Sequence, residues 1–207
     1  MMDSVIIFER IAIDPPCKKI YQRLGFKKKT TELTALRKKE TDTFIEEALS
    51  LINLKGTMLK AVIRGNNGDE VFLSGNLTFA SKQLARFLRD CREALLMGAT
   101  AGSAIMDAIM DKTGQDNLSA AVVYDATASE MVDAALDWIM DYFNQQIRRE
   151  GKKLLSRRFS AGYADFQLDN QQVIYQKLQM EKIGVAINNS FILRPEKSVT
   201  ALGGICG

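Results

Sequence analysis

The sequence contains no histidine among its 207 residues. This absence excludes a Ser-His or Cys-His nucleophile pair, an imidazole metal ligand and a histidine acid or base. If the protein takes part in a reaction, we therefore expect the reactive centre to come from a cofactor or from a partner protein.

Cysteine is also scarce, with Cys17, Cys91 and Cys206 as its three occurrences. They are too few and too far apart for a disulfide framework or for a Cys-x-x-Cys zinc site. Cys206 lies beside the end of the sequence, where we expect an exposed side chain that is either simply frayed or available as a reactive thiol.

Long apolar runs are absent as well. No run reaches the roughly 18 to 20 residues needed to cross a bilayer. The first eight residues carry Asp3 and no basic segment, unlike a signal peptide, so we expect a cytoplasmic protein. The net charge of +3, from 28 basic and 25 acidic residues, argues against a nucleic-acid surface. We interpret the run Lys27, Lys28 and Lys29 as solvated.

Apolar periodicity and turn residues predict a mixture of helices and strands. We predict helices at 17–24, 31–54, 81–90, 103–111, 129–149 and 169–178, and strands at 5–8, 58–63, 70–73, 77–79, 94–99, 184–187, 190–193 and 198–202. Hairpin-type loops and the lack of a regular βαβ alternation predict an α+β fold with antiparallel pairing. No repeat or linker divides the chain, so we take residues 1–207 as one domain.

Two of the predicted helices have clear apolar faces. In helix 31–54 the residues expected to be buried are Leu33, Leu36, Phe44, Ala48, Leu51 and Ile52. Helix 129–149 carries one stripe of Val132, Ala135, Leu136, Ile139, Phe143 and Ile147 and a second of Ala134, Trp138, Tyr142 and Gln145. We therefore expect helix 129–149 to be packed on two sides.

The segment Arg158–Tyr163 combines a fixed charge, a glycine and an aromatic ring with a polar tip. Arg158 offers a planar fork that binds a carboxylate or phosphate in bidentate fashion. Gly162 permits close approach of the backbone to a ligand, and Tyr163 adds a ring face and a hydroxyl. Spacing alone favours a simpler alternative, in which Arg158 pairs with a surface acid and Tyr163 caps the core. The other glycine loop, Gly98–Gly102, lacks a complete phosphate-binding motif and predicts a strand-to-helix turn.

Four short motifs in the C-terminal part of the chain occur in the order of a known family. They are Arg-Phe-Ser-Ala-Gly-Tyr at 158–163, Glu-Lys-Ile-Gly-Val at 181–185, Asn-Ser-Phe at 189–191 and Pro-Glu-Lys-Ser-Val-Thr at 195–200. This pattern resembles the C-terminal activation, or reactivation, domain of cobalamin-dependent methionine synthase. The N-terminal two thirds, with Ile13-Asp14, Tyr21–Gly25 and the Gly98–Gly102 loop, is similar to small free-standing proteins of that family.

The resemblance implies a single curved domain with a central twisted antiparallel sheet flanked by helices. It also implies S-adenosylmethionine as a ligand and a partner that holds cobalamin, such as a methionine synthase module or a corrinoid protein. In the family, one electron, for which a flavodoxin-type donor is one candidate, and the sulfonium methyl group restore methylcobalamin after oxidation of the cobalt. The missing histidines fit that role, since the cobalt and the sulfonium carry the reaction.

The family pattern also implies roles for individual residues. Arg158 would hold the carboxylate of the ligand, the backbone of Ser160, Ala161 and Gly162 would contact the nucleoside, and Tyr163 would line the pocket. The acidic residue that the family carries on the preceding helix corresponds to about Gln145, which supplies no charge. The sequence also stops soon after Ser198-Val199-Thr200, before a His-Pro and Tyr-containing segment of the full-length domain.

Three hypotheses follow from the sequence. The first is a free-standing activation domain that acts in trans on a cobalamin-bearing partner. The second is a module that caps a corrinoid protein without binding S-adenosylmethionine. The third is a scaffolding domain that has lost the ligand, in which Arg158 should be paired inside the protein with no cleft beside it.

Overall fold

The computed structural model describes residues 4–26 and 34–207, so the predicted solvated run Lys27–Lys29 and the predicted core residue Leu33 lie outside the described residues. Within the described part, seven strands form one curled antiparallel sheet and helices cover both of its faces. The strand order is Leu77–Ala80, Glu70–Leu73, Lys55–Asn66, Glu93–Thr100, Ser198–Cys206 and Lys153–Leu154, and Ile6–Phe8 pairs with Lys55–Asn66. The predicted α+β class with a central antiparallel sheet is thereby confirmed.

Most elements occur where predicted, with altered ends, but the strand at Lys153–Leu154 was not predicted and residues 190–192, predicted as strand, lie in a loop. The strands of the main sheet are β1 (Ile6–Phe8), β2 (Lys55–Asn66), β3 (Glu70–Leu73), β4 (Leu77–Ala80), β5 (Glu93–Thr100), β6 (Lys153–Leu154) and β9 (Ser198–Cys206). The helices are α1 (Cys17–Arg23), α2 (Ala35–Leu51), α3 (Lys82–Phe87), α4 (Ala104–Gly114), α5 (Leu118–Ile147) and α6 (Asn170–Leu178), with short 3-10 turns at Arg148–Glu150 and Met180–Ile183. A separate pair is formed by β7 (Ala186–Ile187) and β8 (Leu193–Arg194). None of the described helices combines the length and hydrophobicity that crossing a membrane requires.

The centre of the sheet is β5, which is buried on both faces. Leu95 and Met97 point into a core shared with α5, and Leu96 points into a core shared with α6. A strand covered on two sides needs apolar residues at successive positions, which explains the continuous apolar run of the sequence. Glycine fits at position 98 where a larger residue would not, because an added Cβ would lie 2.9 Å from the Met180 side chain. The loop after β5 runs directly into α4, as predicted for Gly98–Gly102.

Helix α5 begins at Leu118, eleven residues before the predicted start at Ser129. The Asn117 side chain caps it by accepting a hydrogen bond from the Ala120 N–H at 3.2 Å. Its first turns are rich in alanine, which gives little apolar periodicity to detect, yet Ala120, Ala121 and Ala128 are buried. The predicted packing on two sides is confirmed for Trp138 and Tyr142, whose rings contact Phe8 with centroid distances of 5.1 and 5.2 Å.

Helix α5 also contacts the C-terminal half of the chain at several positions along its axis. Near its start, Asp125 pairs with the Lys197 ammonium at 2.6 Å, and Ser129 accepts a hydrogen bond from the same ammonium at 2.9 Å. Near its end, the Asn144 side chain accepts a hydrogen bond from the Leu154 N–H at 3.1 Å. The helix therefore holds both the start of β9 and the short strand β6.

Three predictions about particular residues are wrong. Leu36 in α2 is 78% exposed, because the buried face of that helix is formed by Thr41, Ile45 and Ala48. Strand β9 continues to Cys206 instead of ending at Leu202, since its glycines allow close packing against Leu154, Leu155 and Cys91.

The third correction concerns the cysteines. Cys206 is not a frayed thiol at the end of the sequence: it forms a disulfide with Cys91, 115 residues earlier. Strand pairing brings the two together, since Arg92 donates its N–H to the Ile205 carbonyl at 3.1 Å. Their separation along the sequence therefore did not reflect their separation in space.

Candidate functional site

The segment Arg158–Tyr163 is an extension of the sheet that ends in a tight turn. The N–H of Phe159 donates to the Leu202 carbonyl at 2.9 Å, and the N–H of Leu202 donates back at 2.7 Å. After this bridge the chain reverses, with φ of +82° at Gly162. The Gly162 N–H donates to the Phe166 carbonyl at 2.7 Å, which closes the turn. Glycine is suited to this position because a side chain disfavours positive φ.

Asp165 fixes the far end of the turn to helix α3. Its carboxylate accepts hydrogen bonds from the Ser81 hydroxyl at 2.6 Å and from the Lys82 N–H at 2.8 Å. The hydrogen bond from Ser81, followed by those from backbone N–H groups, lowers the pKa of Asp165 below its usual value. The turn is therefore attached to a second element besides β9.

Aromatic rings lie beneath the turn. Phe166 is fully buried and packs against Phe79 with a centroid distance of 5.2 Å. Phe159 stacks on Phe87 at 5.9 Å and meets the edge of Tyr163 at the same distance. Tyr163 itself is 66% exposed, so it does not cap the core, contrary to the simpler interpretation of the sequence. Its ring face and hydroxyl are open to a ligand.

Arg158 is held by carboxylates of helix α5. Its guanidinium pairs with Asp137 and lies 3.6 Å from Asp133, and its side chain is 22% exposed. A nitrogen of the same group is 3.9 Å from the Met140 sulfur. The simpler interpretation is thus correct for Arg158, which pairs with acids on the protein surface. This pairing is also what the scaffolding hypothesis requires of Arg158.

The two carboxylates belong to a row of acids on α5. The row consists of Glu130, Asp133 and Asp137, which lie on one side of the helix because they are three and four residues apart. Arg23 of α1 pairs with Glu130 at 2.6 Å and with Asp133 at 3.7 Å. Lys19 pairs with Asp137 at 3.2 Å. We call these three acids with Lys19, Arg23 and Arg158 the charge cluster; its six formal charges sum to zero.

Asp133 at the centre of the charge cluster has an unusual acidity. Burial raises the pKa of Asp133, and the charges of Glu130 and Asp137 act in the same direction. Arg158 and Arg23 oppose this effect without cancelling it. A further cation near Asp133 would stabilise its ionised form, so the position favours a positively charged group.

Gln145 is not near Arg158 along the helix. It lies eight residues beyond Asp137, which is about 12 Å at 1.5 Å per residue, and it is exposed. The acids that face Arg158 are Asp133 and Asp137, which the sequence analysis did not predict. Acidic residues at helical spacing on an otherwise apolar helix are a signal that could have indicated them. The family pattern implies Gln145 instead.

Two cavities lie away from Arg158. One of about 330 Å³ is lined by Ile6, Met58, Lys60, Phe143 and Glu150, at the end of α5. The other, of about 220 Å³, is bordered by Arg92, Lys152 and Cys206. The segment Arg158–Tyr163 contributes to neither of them.

Comparison with known proteins identifies a fold. The structure is similar to the crystal structure of the MetH reactivation domain bound to AdoHcy, with a TM-score of 0.68 over 97% of this chain and 78% of that chain. The two sequences are 12% identical, so the likeness shows a shared fold. No family model and no curated protein matches this sequence. The fold implied by the resemblance of the four motifs is thus confirmed.

Proposed function

We propose that the protein binds S-adenosylmethionine beside the turn Arg158–Tyr163 and acts in trans on a cobalamin-bearing partner. The observation that carries the proposal is that Arg158 pairs with two carboxylates of α5 at the start of the turn that leads to the exposed ring of Tyr163. The turn lies in a fold shared with a reactivation domain whose structure contains AdoHcy. The ligand would supply the methyl group, and an external electron from a flavodoxin-type donor would restore the reduced cobalt on the partner.

The charges of the site complement those of the ligand. S-adenosylmethionine carries a carboxylate, an ammonium and a sulfonium, and the site offers one arginine and two aspartates. Arg158 would exchange Asp137 for the ligand carboxylate, and Asp133 and Asp137 would then face the ammonium and the sulfonium while keeping their pairs with Arg23 and Lys19. Partly exposed ion pairs contribute about 1 kcal/mol or less, so exchanging them costs little.

The backbone of the turn supports the same placement. The N–H groups of Ser160 and Ala161 have no hydrogen-bond partner among the described residues, whereas those of Phe159, Gly162 and Tyr163 do. Two free donors beside the exposed Tyr163 ring could hold the polar edge of a nucleoside while the ring contacts its face. This gives Ser160, Ala161, Gly162 and Tyr163 the roles implied by the family pattern. Gln145 contributes to the site only if the ligand extends along α5.

Calorimetry with S-adenosylmethionine and AdoHcy tests the proposal. Wild type should bind both ligands, and S-adenosylmethionine more tightly, because only it carries the sulfonium charge. Asp137→Asn should reduce the difference between the two ligands. Arg158→Ala should lose affinity for both, and Arg157→Ala, which changes the neighbouring exposed arginine, serves as the matched control. Absence of binding by wild type, with and without a cobalamin protein, contradicts the proposal.

A second candidate function is a cap that docks on a corrinoid protein and does not bind the methyl donor. It is favoured by the fact that Arg158 is already paired within the protein. The oxidation rate of cob(I)alamin in a corrinoid protein separates the two. A cap should slow oxidation equally with wild type and Arg158→Ala, in the absence of S-adenosylmethionine. The first function instead requires methylation that depends on both Arg158 and the methyl donor.

A further inference from the structure

The disulfide between Cys91 and Cys206 ties the last residue of β9 to the turn between α3 and β5. The two cysteines differ in accessibility, since Cys91 is 8% exposed and Cys206 is half-buried. The third cysteine, Cys17, is exposed and free. The chain therefore has one cross-link at the end of its last strand and one unpaired thiol that can serve as an internal control.

The packing around the disulfide depends on Gly204. A Cβ at this position would lie 2.7 Å from the Cys91 sulfur, 2.9 Å from the Leu155 side chain and 3.0 Å from Leu88. Real Cβ atoms do not approach other atoms so closely, so the sulfur occupies space that only glycine leaves open. The glycine-rich end of the sequence thus provides room for a sulfur group beside the backbone of β9.

The part of β9 next to Cys206 carries the segment that leads to the candidate site. Lys153 pairs with Cys206 and Leu154 with Ile205. The Leu155 N–H donates to the Gly204 carbonyl at 2.8 Å, and Phe159 bridges to Leu202. Residues 153–159 are therefore attached to the last five residues of β9, and Arg158 is one residue from the final bridge.

Cys206 borders the cavity of about 220 Å³. The charged residues that line the same cavity are Arg92, Lys152, Glu93 and Glu150. Lys152 pairs with Glu93 and Glu150, both at 2.8 Å, whereas the Arg92 side chain is exposed and has no partner among the described residues. The four formal charges of the lining sum to zero, so the group that can attract an anionic reactant is the guanidinium of Arg92, unpaired among the described residues.

We propose that Cys91 and Cys206 form a reversible exchange site for low-molecular-weight thiols, and that reduction loosens residues 153–159. A thiolate attacks the Cys206 sulfur and forms a mixed disulfide, while Cys91 leaves as a thiolate and takes up a proton. A second thiolate then displaces Cys206, so that one disulfide and two thiols become two protein thiols and one small-molecule disulfide. The end of β9 then loses its covalent tie and is held by its hydrogen bonds and by the packing of buried residues such as Ile205.

Reduced glutathione is the probe, applied to the folded wild-type protein. Thiol labelling with mass spectrometry should show reduction of Cys91 and Cys206 under native conditions. Hydrogen exchange at the N–H groups of Leu155 and Phe159 should then become faster by at least about tenfold, because local opening no longer strains the cross-link. Exchange at Asn53, which is bonded to Ala101 near the opposite end of β9 from Cys206, should not change.

Cys206→Ser should show the faster exchange without any reductant, and Cys17→Ser should behave as wild type. If the serine variant does not fold, the reduced wild type provides the same comparison. Three outcomes overturn the proposal: no disulfide in the oxidised protein, reduction only after global unfolding, or reduction without a change at Leu155 and Phe159.

The role of Arg92 has its own test. Reduction by glutathione, which is anionic, should be faster than reduction by neutral 2-mercaptoethanol, after both rates are divided by those measured with a small model disulfide. Arg92→Gln should remove this preference. Equal relative rates in the wild type would show that the cavity does not select an anionic thiol.

A consequence for ligand binding rests on the proposed function. Oxidised protein should bind S-adenosylmethionine more tightly than reduced protein, because Arg158 is then better positioned. If neither form binds, the proposed function fails, while the exchange site is still judged by labelling and hydrogen exchange. If both forms bind equally, only the link between the two fails.

Discussion

The turn that follows Arg158 is held at its two ends by different kinds of contact. At its start, Arg158 is held by partly exposed ion pairs with Asp133 and Asp137, which a ligand carrying the same charges can replace. At its far end, Phe166 is fully buried and Asp165 caps α3 through the Ser81 hydroxyl and two backbone N–H groups. The difference indicates that the fold fixes the backbone of the turn, through the Phe159 bridge and through its far end, and leaves the side chain of Arg158 free to exchange partners.

The largest expected effect comes from breaking the fixed end. Phe166→Ala should lower the free energy of unfolding by about 3–5 kcal/mol, because it removes a fully buried ring packed on Phe79 and Phe159. Urea denaturation measures the change. Tyr163→Ala is the control on the same turn and should change stability by only about 0.5 kcal/mol, since its side chain is largely exposed. Equal losses for both variants would contradict the distinction between the two ends.

A second prediction concerns the exchangeable end. Arg158→Ala should weaken S-adenosylmethionine binding by on the order of tenfold to a hundredfold, in line with the loss of a charge-assisted bidentate contact. Its stability should fall by only about 1 kcal/mol, as for partly exposed ion pairs. Calorimetry and thermal unfolding of the same samples give both numbers. A large loss of stability with unchanged binding would assign Arg158 to the scaffold.

Gly162→Ala alters the connection between the two ends. Alanine at a φ of +82° is strained, and its Cβ would lie 3.1 Å from the Leu168 side chain. We expect a loss of about 1 kcal/mol in stability, together with weaker ligand binding because the Ser160 and Ala161 N–H groups move. Gly68→Ala tests the strain alone, since that glycine also has positive φ but has no atom within 4 Å of an added Cβ.

The smallest effects are expected in the dependence of stability on pH, and they have opposite signs at the two ends. The pKa of Asp165 is lowered by Ser81 and the backbone, so its contribution is present above the unfolded pKa and is lost as the pH falls through the folded value. The pKa of Asp133 is raised by burial, so its ionisation decreases stability as the pH rises from the unfolded to the folded value.

The measurement is a series of urea denaturations between about pH 3 and pH 7. Relative to wild type, Asp165→Asn should lose most stability at neutral pH and less in acid. In Asp133→Asn the free energy of unfolding should decline less than in wild type as the pH rises through the acid range. If both variants change in the same direction with pH, the contrast between the two carboxylates is wrong.

The sequence was sufficient to predict the parts of the fold that have strong local patterns. The buried strand at Glu93–Thr100, the hairpin that follows Lys55–Asn66 and the short helices at Cys17–Arg23 and Asn170–Leu178 all occur where apolar runs and turn residues indicated them. The start of α5 was missed because an alanine-rich segment has no polar face to define a period. The length of β9 was missed because Gly203 and Gly204 are poor strand formers in isolation and are needed here only for the close packing of Cys91 and Leu155.

For the candidate site, the sequence identified the turn but not its partners. Arg158, Gly162 and Tyr163 could be singled out because they lie close together in the chain. Asp133 and Asp137 lie more than twenty residues earlier, and only the packing of α5 beside β9 brings them to Arg158. The disulfide of Cys91 with Cys206 has the same origin, since strand pairing and not sequence spacing decides which distant residues meet.

The contacts along helix α5 limit which insertions and deletions the protein can tolerate. Asp125, Asp137 and Asn144 contact Lys197, Arg158 and Leu154 at successive heights along one continuous helix. Inserting or deleting a single residue between Asp125 and Asn144 would rotate the helical residues after that point by about 100° relative to those before it. The side chains on the two sides of the change could then not all reach their partners. We therefore expect natural variants to gain or lose residues in the loops around α5 and to leave the count between these three positions unchanged.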